Sequence, residues 1–147
     1  MVTGRLAGEA AAVTTIATVA SAGATAGTNS TAVYMPWGCR AYGFVLDVTD
    51  ANTGVDDTLD VQVQTLLDGT NYTAVASFTQ VLGNGGAKRH VMKIDASLAQ
   101  ATFESSATLA AGSIRNWCGD AWRIHYVIVD PTGSDASFDF TVYGMPM

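Results

Sequence analysis

Residues 40–64 read RAYGFVLDVTDANTGVDDTLDVQVQ. Tyr42, Phe44, Leu46 and Val48 recur at every second position. Leu59, Val61 and Val63 do so after an interruption, with Asp60, Gln62 and Gln64 alternating against them. Successive side chains of a strand point to opposite faces, so this pattern predicts two half-buried strands. Between them, DANTGVDD (50–57) carries the Gly and Asx residues that reverse a chain. The stretch predicts a long hairpin against which further strands pack.

Outward from it, the same periodicity returns. Tyr72, Ala74, Ala76 and Phe78 alternate over 72–81, Lys88–Ile94 resumes as a strand, and Trp122, Ile124, Tyr126 and Ile128 share one face of 121–130. Pro131-Thr132-Gly133-Ser134 turns the chain into 137–144, where Phe138, Phe140 and Val142 point inward. Upstream, Thr and Val density predicts a strand near 13–20, followed by a flexible Gly-Ala-Thr connection and a short strand over 30–36 that ends at Pro36. Periodicity fades over 95–116, an excursion expected to hold a short strand or a helical turn. FVLDVTDANTGVDDTLDVQVQ (44–64) and YVIVDPTGSDASFDFTVYG (126–144) echo one another as aromatic-rich strand, Asp, Gly-containing turn and alternating strand. Two such hairpins suit two facing sheets. The expected fold is all-β: an antiparallel β-sandwich, jelly-roll-like, with eight to nine short strands in one domain over 13–147. Residues 1–12 are expected to form an extended N-terminal arm, flexible or bound to a partner.

A chain of 147 residues is long enough to bury roughly 68–70% of its unfolded surface as one domain. Charged residues make up only 14% against 48% hydrophobic, well below the typical ~25% charged. An uncharged polar surface is cheaper to press against other chains than an ionic one, which hints at an assembly component. No apolar run reaches the ~20 residues of a spanning helix, so no membrane partner is expected. Residues 1–29 lack the pattern of a signal peptide, and use without Sec export is expected. Thirteen acidic residues against seven basic ones give a net charge of −6. With Lys88-Arg89-His90 the only basic cluster, no nucleic-acid partner is expected either.

Catalytic chemistry finds little purchase. His90 lies near a loop and His125 on the outward face of its strand, neither beside a nucleophile motif, so the chain is read as non-enzymatic, with no cofactor. Asp50, Asn52, Asp56 and Asp57 crowd one turn and partly echo a calcium loop. The terminal bidentate Glu and flanking helices of such a loop are missing, and local Asx bonding accounts for the same residues. Trp37 and Trp117, at strand ends near loops, are candidates for a sugar-stacking or subunit surface, whereas Trp122 belongs to the core. Cys39 and Cys118 each adjoin a tryptophan; buried free thiols and a disulfide between them are both open readings.

The phrases TVASAGATAGTNSTAVYMPWGCRAYGFVLDVTDANTG (18–54), TLDVQVQTLLDGTNYTAVASFTQ (58–80) and WRIHYVIVDPTGSDASFDFTVYG (122–144) resemble small virion proteins of tailed bacteriophages. The resemblance covers about residues 16–144 and rests on strand and turn phrases; the segment 95–116 departs from the shorter pattern of that group. It implies a capsid decoration or cement protein on the virion surface, assembled in the host cytoplasm. Its partners would be the major capsid protein and copies of itself, with a homotrimer at local three-fold positions favoured. Partner contacts are expected from Leu6 and Val13, in and beside the arm, and from Trp37 and Trp117. A tail or neck accessory protein and a host-glycan-binding module are the alternatives.

Overall fold

The computed structural model describes residues 13–35, 39–106, 108–133 and 135–147. The expected arm over 1–12, with Leu6, and the Trp37 position lie outside these residues. Among the described residues, ten strands follow in order: β1 (Thr14–Ala22), β2 (Thr25–Asn29), β3 (Val33–Tyr34), β4 (Ala41–Asp50), β5 (Thr58–Leu66), β6 (Tyr72–Ser77), β7 (Val81–Leu82), β8 (Lys88–Asp95), β9 (Ala121–Val129) and β10 (Phe138–Pro146). They form two antiparallel sheets packed as a β-sandwich. One has the order β1-β10-β4-β8; the other has β2-β9-β5-β6, with β3 alongside β9 and β7 alongside β5.

The pairing is nested: β1 with β10, β2 with β9, β4 with β8, and β5 with β6. The nest is closed where β10 also pairs with β4 and β9 with β5. This corrects the hairpin expected over 40–64. Strands β4 and β5 are not partners; they lie in opposite sheets, and residues 51–57 arch from one sheet to the other. Residues 121–146 repeat the device, with β9 in one sheet and β10 in the other. The internal echo therefore marks two arches, each contributing one strand to each sheet.

Two further expectations change. The connection after β1 contains β2, which is held at Thr25, Thr28 and Asn29 against β9. The excursion 95–116 contains no helix among its described residues. Its end runs along the outer edge of β6, where Ser77 N–H donates to Ser113 O at 3.0 Å and Arg115 N–H to Val75 O at 2.7 Å, around a bridge between Ala76 and Ile114. An open strand edge presents unpaired backbone groups, and this segment pairs the β6 edge.

The alternation in 40–64 translates directly into the core. Phe44, Leu46, Val48, Phe138, Phe140 and Val142 from one sheet meet Leu59, Val61, Val63, Trp122, Ile124 and Ile128 from the other, each no more than 2% exposed. Trp122 on β9 reaches across to Tyr42 and Phe44 on β4, with ring centroids at 4.9 and 5.1 Å. Tyr126 meets Phe140 edge-on at 5.3 Å. Phe44→Ala is expected to lower the unfolding free energy by about 3–5 kcal/mol. Val45→Ala, one residue on and facing outward, should cost about 1 kcal/mol or less. Urea titration of the two variants checks the facing; equal losses would contradict it.

Candidate functional site

Three surface features concentrate apolar or reactive side chains. The first is built by the excursion before β9. Trp117, 46% exposed, stands edge-on to Phe103 with centroids 6.4 Å apart. The Arg115 guanidinium lies 4.6 Å over the Phe103 ring while its Nη1 donates to Ala74 O at 3.0 Å. A buried cation stacked on an aromatic face and bonded to a strand carbonyl fixes the Phe103 ring. The ends of the excursion are tied as well: Asn116 N–H donates to Gln100 Oε1 at 2.6 Å, and Asp95 N–H to Asn116 Oδ1 at 3.3 Å. The result is an open apolar groove of about 400 Å³ lined by Leu67, Thr102, Phe103 and Trp117.

The second feature is the β8 edge. Val91 is 72% exposed and shares a shallow groove with Phe78, Met92 and Ile114. In register it faces Val45, which in turn faces Tyr143, so an apolar row crosses the outer face of this sheet. Charge enters at its margin, where Arg89 grips Asp47 through Nε and Nη2 at 3.2 and 3.0 Å. Val13, expected to contact a partner, is also exposed.

The third is a cleft lined by Cys39, Cys118, Tyr42 and Gly119. Both thiols are free and half-buried, which favours the free-thiol reading over the disulfide. Burial, reinforced by Asp95, pushes the Cys118 thiol up to about 11. Burial first, then the two cysteines, pushes the Tyr42 hydroxyl up to about 12. Neutral forms are thus favoured in the folded state. The folded chain holds these protons above the pH at which the unfolded chain releases them, so stability falls as pH rises from about 9 through 12. Urea unfolding at pH 8 and pH 11 should show this loss, and Tyr42→Phe should shrink it. At pH 8, Cys118 should alkylate about a hundredfold more slowly than an unperturbed thiol.

The two histidines lie on different strands, His125 on β9 and His90 on β8. His125 Nδ1 pairs with Asn29 Oδ1 at 2.8 Å, and burial, with Arg123 nearby, lowers its pKa. The neutral ring serves to hold β2 to β9. His90 is half-buried on the β8 edge.

The turn carboxylates separate. Asp50 Oδ1 accepts from the Asn52 backbone N–H at 3.1 Å and from its Nδ2 at 2.8 Å, a local Asx turn. Asp56 points to solvent. Asp57 alone is turned inward, where its Oδ2 accepts from Gly54 N–H at 2.8 Å and from the Thr53 hydroxyl. Its carboxylate neighbours come from the other arch: single oxygens of Asp57, Asp130 and Asp135 all lie within 4.8 Å of one another. Sequence reasoning confined to one turn missed Asp130 and Asp135, although the echo between the arches already placed an Asp at each arch base. No known protein family, curated protein or solved structure matches the chain.

Proposed function

We propose that this protein is a non-enzymatic virion structural protein, a decoration or cement protein that binds the major capsid protein on the outer head as a homo-oligomer, a trimer being favoured. The observation that carries the reading is the apolar row Val91–Val45–Tyr143 on a sheet face whose outer strand ends the sheet at β8. A large exposed aliphatic side chain gains free energy when another chain covers it; Arg89 and Lys93, two residues to either side on the same strand, put charge at the rim of that surface. The phage-like strand and turn phrases and the low charge content support the same reading. We also infer a jelly-roll winding, because the nested pairs β1–β10, β2–β9, β4–β8 and β5–β6 are those of a long antiparallel ribbon rolled upon itself.

Co-sedimentation with capsids lacking the protein tests this reading. Hundreds of copies per particle are expected, close to the number of major shell subunits or a simple fraction of it. A dozen or fewer would move the protein to the neck or tail. Val91→Glu should cut occupancy at least tenfold while leaving the melting temperature unchanged, and deletion of residues 1–12 should weaken attachment and shell stability. The exposed Trp117 beside Phe103 supports a second reading, a host-glycan module on the virion surface. In that case Trp117→Ala abolishes sugar binding and spares assembly.

A further inference from the structure

We infer that the end of the sandwich where the two arches meet is a calcium site, formed by Asp57 of the β4–β5 arch with Asp130 and Asp135 of the β9–β10 arch. Three acidic side chains in proximity are common on protein surfaces; here the arrangement of the first one is not. Asp57 is 0% exposed. Its Oδ2 is occupied by Thr53 and Gly54, while its Oδ1 is buried with no hydrogen-bond partner. A buried carboxyl oxygen left without a hydrogen-bond partner loses its hydration for nothing in return, unless a cation meets it. One carboxylate oxygen from each of Asp57, Asp130 and Asp135 lies within 4.8 Å of the other two. A calcium ion sits 2.3–2.6 Å from each ligand oxygen, so oxygens sharing one ion lie at most about 5 Å apart. Among the described residues, none of the three carboxylates is ion-paired to a Lys or Arg.

The surrounding backbone holds the group in place. Asp130 Oδ1 accepts from Gly133 N–H at 2.9 Å and its Oδ2 from Ala136 N–H at 3.2 Å, which fixes the carboxyl group in place. Asp57 is clamped from behind. Thr53 N–H donates to Gly83 O at 2.9 Å and Gly83 N–H to Asp57 O at 2.8 Å. A Cβ on Gly83 would stand 2.3 Å from Gly54 O, so only glycine allows this approach. Asp135 is exposed and offers the open side, where water completes a shell of six to eight oxygens. An all-oxygen donor set with three carboxylates selects a hard cation. A mixed buried and solvent-facing arrangement suits the flexible coordination of calcium better than the strict octahedron of magnesium.

The experiment is calorimetric titration of the full chain with calcium chloride after EDTA treatment, paired with thermal melting in EDTA and in millimolar calcium. One ion per chain and a rise in melting temperature of about 5 °C or more are expected. Asp135→Asn, a surface change that leaves the fold intact, should weaken binding at least tenfold. Asp57→Asn keeps an acceptor for Thr53 and Gly54 and removes the acidic oxygen. It should therefore melt no lower than the native chain in EDTA, yet gain nothing from calcium. Absence of saturable calcium uptake, or uptake unchanged in Asp135→Asn, overturns the site. An equal response to magnesium at the same concentration overturns its assignment to calcium. These readouts need no capsid and stand or fall apart from the decoration role.

Discussion

Everything in this fold hangs on aromatic contact across the gap between the sheets. Trp122 leaves β9 and lands between Tyr42 and Phe44 of β4, with both centroid distances near 5 Å. The indole is fully buried, and its Nε1 has no hydrogen-bond partner among the described residues. Burying an aromatic of roughly 200 Å² contributes on the order of 5 kcal/mol, against about 1–3 kcal/mol for an unpaired N–H, so packing wins at this position. Once β4 and β9 are fixed face to face, β10 and β5 follow as their in-sheet neighbours. The four central strands then share a single core.

The facing of each strand was legible from alternation because burial acts on single side chains. Every inward residue read from 40–64, 121–130 and 137–144 is buried or half-buried. Partnership between strands was not legible. A hairpin and an arch present the same two alternating runs separated by the same polar turn. What separates them is whether the loop can span the ~10 Å between sheets, and seven residues can. The inward turn of Asp57 capping Thr53 and Gly54 suits the arch, yet the sequence shows only one Asp among several. Strand β2, TAGTN, escaped notice for a related reason. It is largely exposed, carries no apolar alternation, and owes its extension to β9, with His125 and Asn29 as the lock.

The surface features divide in the same manner. Trp117 was readable as exposed because it lies in the loop ahead of the β9 alternation. Its platform was not, since Phe103 and Arg115 belong to a segment without periodicity and are organised by a strand edge distant in sequence. Carboxylates followed suit. A calcium loop of consecutive residues is a local pattern; a cluster drawn from two arches 73 to 78 positions apart is a consequence of topology. The echo between 44–64 and 126–144 was the only sequence signal that related the two, and its meaning depended on both being arches.

The charge on Asp57 is what its hydrogen bonds leave unexplained. Thr53 and Gly54 need one acceptor oxygen, which an Asn side chain supplies without desolvating an ion. A fully buried carboxylate at this position is the costlier choice by several kcal/mol, and two more carboxylates beside it raise that cost through like-charge repulsion. The second oxygen is buried without a hydrogen-bond partner, and the carboxylate lies with those of Asp130 and Asp135 at the end of the very strands, β4 with β10 and β5 with β9, that carry the core. A divalent ion there would offset two of the three negative charges and tie one arch to the other. It would close the end of the sandwich that Trp122, at the start of β9, does not reach.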